Sequence, residues 1–159
     1  MSNDLSTQVQ QPSLLDIRMD SKRYPRLCRI PKDEATKAMV KIVSQAFLYR
    51  GQTADPNIIG FTASALVDEL LQEEKYRAKF LSMEEIAIVI RKAVLETDIY
   101  ISVSSLYKAV IEYCKGEGTR LQNEASKIRR QKEEDTLRQS VIAPMLQAYT
   151  GELIKNTKK

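Results

Sequence analysis

The residue type that most often serves as a general base or zinc ligand is missing: this chain of 159 residues contains no histidine. Ser-His-Asp triads, Cys-His dyads and His-ligated zinc sites are excluded together. Cys28 and Cys114 are the only cysteines, so a zinc site of four thiolates is excluded too. They stand 86 positions apart with no motif around either, and a disulfide between them is not the expected state. Carboxylate chemistry needs no histidine, and Glu73/Glu74, Glu84/Glu85 and Glu133/Glu134 are adjacent acidic pairs. Adjacent residues on a helix point about 100 degrees apart and rarely share a site. Glu84 and Glu85 open a helix, where cap and dipole roles explain them. A metal set of Asp68, Glu69 and Glu73 is conceivable but does not stand apart from ordinary surface patterning. No GxxxxGK[ST] or GxGxxG string occurs. KGEGTR at 115–120 lies where a helix should end, and it reads as a stop with a hinge rather than a phosphate loop. SLYK at 105–108 reads as a cap followed by a core helix. These residues point to a non-enzymatic protein, with no cofactor and no metal expected.

Charge is the remaining chemical signal. The net charge is +4, with a pI of about 9.0, and it is unevenly placed. Residues 1–32 hold 6 basic and 3 acidic groups; residues 33–116 hold 10 and 12; residues 117–159 hold 9 and 6. Two basic ends flank a nearly neutral centre. Such flanks hold nucleic acid or an acidic partner, or they keep the chain soluble. Lys127, Arg129, Arg130 and Lys132 cluster in a helix-forming segment, extended by Arg120 and Arg138. Near the other end Lys22, Arg23, Arg26 and Arg29 surround Tyr24. A tyrosine between arginines can stack on a base while the arginines hold phosphates. Four acidic residues within 124–135 dilute the first cluster, and no recognition-helix or RNP-type motif suggests sequence-specific reading. The expected contact residues for nucleic acid or a partner are Lys127, Arg129, Arg130 and Lys132, with Arg23, Arg26 and Tyr24.

The elements that would carry these residues are mostly helices. Residues 1–13 are polar and Gln-rich, with the composition of an unordered segment. Residues 14–31, broken by Pro25 and Pro31, read as an extended arm. Met39, Val40, Ile42, Val43 and Phe47 recur at helical spacing, predicting a helix over about 33–50 that stops at Gly51. A loop over 51–61 leads to a helix over about 62–75, capped by Thr62 and striped by Ala63, Leu66, Val67, Leu70 and Leu71. Ser82 with Glu85 three residues on is a capping-box pattern opening a third helix, which runs to about Glu96. IYISV at 99–103 reads as an extended linker; Ser104 or Ser105 then caps a helix carrying Leu106, Tyr107, Val110, Ile111, Tyr113 and Cys114. The segment 119–142 is helix-forming but poor in apolar residues, so it needs charge pairs or a partner. Pro144 breaks it. The expected fold is mainly α: a compact four-helix bundle at 33–116, a flexible basic arm at 1–32, and a long polar C-terminal helix within 117–159. The polar N-terminus is unlike a signal peptide and no apolar run approaches a membrane span. A cytoplasmic setting without membrane contact is expected.

From Thr62 to about Leu137 the order of parts resembles small helical replication accessory proteins of phages and mobile elements, the helicase-loader and loader-inhibitor type. The segments that carry the likeness are TASALVDELLQEE, SMEEIAIVIRKAV, a short connector, SSLYKAVIEYC and the charged RLQNEASKIRRQKEEDTLRQ. The resemblance implies a non-enzymatic DNA-replication protein that binds and loads or regulates a replicative helicase or another replisome protein, with single-stranded DNA as a further contact. The reading from another class is a helical protein–protein interaction module, or a homo-oligomer, without a nucleic-acid role.

Overall fold

The computed structural model describes residues 11–157, with side chains described as far as residue 152. The expectations for residues 1–10 and for the last basic residues fall outside that range. The chain divides into two units, the first ending at Leu121 and the second beginning at Gln122. The fold is mainly α, and among the described residues there is no β-strand.

Helix α1 (Leu14–Met19) opens the first unit. Ser13 and Asp16 form a complete capping box there. Segment 14–31 is therefore not the extended arm expected from its prolines. Pro25 and Pro31 both lie between helical pieces, where a missing N–H costs nothing. Ile17, Arg18 and Leu27 are buried, and the Leu27 N–H donates to the Leu81 carbonyl at 2.7 Å. Tertiary burial, invisible to local pattern, folds this segment onto the bundle.

Helix α2 (Lys32–Tyr49) has Asp33 and Glu34 in its first turn, and Gly51 stops it with a φ of 62°. Helix α3 (Pro56–Gln72) begins six residues before the predicted cap at Thr62. Asp55 is the true N-cap, accepting from the Asn57 N–H, and Pro56 takes the first helical position, whose N–H needs no intrahelical partner. Thr62 is instead buried inside the helix. Helix α4 (Met83–Glu96) starts at Ser82, as its capping pattern predicts. Helix α5 (Val103–Tyr113) is capped by Ser102, not by Ser104 or Ser105; Ser105 completes the capping box from its third position. Residues 97–102 are the short non-helical connector between α4 and α5.

Helix α2 packs on α3 and α4, and α5 packs on α3 and α4. Met39, Val43, Leu66, Leu70, Ile86, Ile90, Leu106 and Val110 fill the space between them. Each such side chain contributes roughly 1.5–3 kcal/mol by leaving water. Val40 and Phe47, expected on the buried stripe, are only partly covered.

The glycines after α5 neither stop nor hinge the helix. Cys114–Gly118 form a π-helical turn, and Thr119 continues directly into α6 (Thr119–Leu137). Cys114 and Thr119 both keep right-handed helical dihedrals, and the Thr119 hydroxyl donates to the Cys114 carbonyl at 2.7 Å. A second π turn, Arg138–Ile142, joins α6 to α7 (Ala143–Thr157). Pro144 cannot donate to the carbonyl four residues back, and a widened turn accommodates that loss without ending the helix. Beyond Ala125 no described side chain is buried.

Candidate nucleic-acid and partner interface

The predicted basic residues are not one cluster. On α6, Lys127 and Arg130 share a shallow surface with Gln131, Glu134, Asp135 and Arg138. Arg129 and Lys132 do not line it. At 100 degrees per residue, Arg129 stands on nearly the opposite side of the helix from Gln131. Four cations in six residues are thus spread around the helix, and Glu134 and Asp135 interrupt the shared face.

Near the N-terminus the three predicted residues separate by role. Arg23 is exposed, and its guanidinium lies over the Tyr24 ring, 5.5 Å from the centroid. One face of that ring is already occupied by a cation. Arg26 is turned inward: its Nη2 donates to the Arg18 carbonyl at 3.0 Å, and its Nη1 is 4.0 Å from Glu85 Oε2. Arg26 holds the fold and is not presented to a ligand.

The group that Arg26 joins was missed from sequence. Glu85 is completely buried. Its backbone N–H donates to Ser82 Oγ at 3.2 Å, which is half of a capping box. The other half is absent, because the carboxylate turns into the protein. Arg18 Nε donates to Glu85 Oε1 at 2.6 Å, and the Tyr113 hydroxyl donates to the same oxygen at 2.5 Å. Oε2 has no hydrogen-bond donor. Burial and the bond to Glu85 push the Tyr113 hydroxyl far above the usual tyrosine range. Burial pushes the neighbouring Cys114 thiol up to about 11, so this cysteine is a packed apolar group at neutral pH. Both cysteines are free, Cys28 exposed and Cys114 buried.

Gly118 completes the cluster. A Cβ there would stand 3.0 Å from the Tyr113 carbonyl oxygen, 3.1 Å from Tyr113 Cε1 and 3.3 Å from Arg18 Nη2. Gly116, two residues earlier, has open space around it. Alanine at 116 should stabilise by about 0.5–1 kcal/mol through helix propensity. Alanine at 118 should destabilise by about 1–3 kcal/mol, because the backbone carbonyl it meets cannot step aside. Urea midpoints of the two variants, measured side by side, should therefore move in opposite directions.

Two of the acidic candidates are committed elsewhere. Asp68 pairs with Lys32 at 2.6 Å, and Glu73 accepts from the Tyr76 and Ala78 N–H groups at 2.8 and 3.2 Å. Among the described residues no three His, Cys, Asp or Glu side chains are grouped to hold a metal ion. No helix of the described residues is long and apolar enough to cross a membrane.

Apolar surfaces stay open on each unit. A groove of about 780 Å³ runs between α4 and α5, with Ile88, Ala93, Ile99 and Ala109 along it and Lys92 and Lys108 at its edge. On the second unit Val141, Ile142, Met145, Leu146 and Tyr149 are all exposed. Their spacing of three and four residues gathers Met145, Leu146 and Tyr149 on one side of α7, with Ile142 in the turn just before it. No protein-family model, no curated protein and no solved structure matches this chain.

Proposed function

We propose that this protein is a non-enzymatic accessory factor of DNA replication that engages a replicative helicase and single-stranded DNA. The observation that carries the reading is the second unit: a helix with cations at 127, 129, 130 and 132, followed by a helix with an exposed apolar side. Lys127, Arg130 and Lys132 are exposed and Arg129 is half-buried; cations on a helix surface suit phosphate, whose contacts need charge but no fixed pocket. An exposed apolar helix side suits a protein groove. The helicase as partner rests on the likeness in order of parts between Thr62 and Leu137. The second reading, a helical interaction module without nucleic acid, is favoured by Glu134 and Asp135, which interrupt the basic face.

The test is binding to single-stranded DNA at two salt concentrations. Affinity should fall with salt, and Arg129→Ala with Arg130→Ala should remove about two phosphate contacts, lowering the logarithmic salt slope by about 1.4. An unchanged slope would refute phosphate contact at these two positions, and absence of binding at low salt would leave the second reading. Recovery of a replicative helicase by affinity capture from the native host checks the partner.

A further inference from the structure

Glu124, Lys127, Gln131, Asp135 and Arg138 follow one another at spacings of three, four, four and three residues. That spacing places them along one side of α6 and the first residue of the π turn. The last four line the same shallow surface and are exposed, while Glu124 is half-buried. The row is symmetric about Gln131 in position and antisymmetric in charge. Read forward it runs negative, positive, neutral, negative, positive. Read backward, every charge is reversed.

We propose that this side of α6 pairs antiparallel with the same side of a second copy of the chain, about a two-fold axis at Gln131. Glu124 then meets Arg138 of the second copy, Lys127 meets its Asp135, and the two Gln131 amides meet each other. The axis repeats each ion pair, so two complementary contacts become four. A parallel pairing would set every charge against its like, and the row therefore selects orientation as well as partner. The contact is isologous and closes at two copies. Ion pairs on an exposed helix are weak singly. Four in one contact add to an association that salt weakens, and the apolar side of α7 is left to the protein groove. Arg129 stands away from the pairing row, and Arg130 at its margin. The dimer brings two sets of these arginines together, whereas a monomer offers one.

The test is sedimentation velocity of the full chain at low salt. The parent should sediment as a dimer of two 18.1 kDa chains that dissociates as salt rises. Lys127→Asp sets Asp against Asp135 twice, and it should raise the dissociation constant by ~10-fold or more. Asp135→Lys should do the same. The two reversals in one chain recreate both pairs with inverted polarity and should restore dimerisation. Both sites are exposed, and circular dichroism should report equal helicity in all three variants. A monomeric parent at low salt overturns the proposal, as does a dimer indifferent to the single reversals or a double variant that stays dissociated. Association seen only with added single-stranded DNA also overturns it. Arg129→Ala with Arg130→Ala should leave the dimer intact, so loss of DNA binding and loss of pairing are separable.

Discussion

Replacing Glu85 by alanine should destabilise the chain by about 3–5 kcal/mol, the cost of leaving a buried charge without its partner. The side chain of Arg18 is 7% exposed and that of Glu85 is 0%, so water reaches little of the guanidinium once its counter-charge is gone. Arg18→Ala should cost a similar amount, because the carboxylate is then left with Tyr113 and the more distant Arg26. Removing both partners tests the mechanism. Arg18→Met with Glu85→Leu should cost far less than the sum of the single changes, since no charge stays buried. Urea unfolding of the four chains closes the cycle. A loss below about 1 kcal/mol for Glu85→Ala would sink this account, since the cap at Ser82 uses the backbone N–H and survives in the variant.

Leu27→Ala should cost about 2–5 kcal/mol, as for a fully buried leucine truncated in a packed core. Leu27 is 0% exposed, between α1 and α2, in a short turn that pairs with the Ala78–Phe80 turn. A leucine on an unattached arm would change stability by a few tenths at most. The control is Leu48→Ala: that side chain is 71% exposed and its loss should stay within about 0.5 kcal/mol. Equal midpoints for the two variants would mean that the segment before α2 contributes nothing to the folded state.

These two positions show what was legible in the sequence. The helices α2, α4 and α5 were readable because their causes are local: apolar spacing, the Gly51 stop and the Ser82 cap all act within a few residues. The start of α3 was readable in principle. Asp55-Pro56 is an N-cap followed by a first-turn proline, a pair whose proline is equally common in loops. Glu85 was read by its most common local role, and half of that role is real. Its carboxylate is committed to Arg18, 67 residues away, a pairing that no local pattern encodes. Gly118 was likewise read as a stop because the side chains crowding it come from Tyr113 and from distant Arg18. The basic residues of the candidate interface were visible as composition, while their division around α6 needed the helix as a cylinder. Arg26 illustrates the limit most clearly, since a cation inside a basic run reads as solvent-facing until the buried acid it attends is known.

The Arg18–Glu85 pair also sets an order in time. The helices α2 to α5 pack mainly on near neighbours in the chain, an arrangement that assembles quickly once each is made. Helix α1 leaves the ribosome before any of them. Arg18 then waits for 67 further residues before its counter-charge exists, which at ordinary synthesis rates is several seconds. Tyr113, the second donor to that carboxylate, arrives 28 residues later still. Helix α1 is thus synthesised before α2 to α5, yet its buried ion pair cannot close until α4 is made.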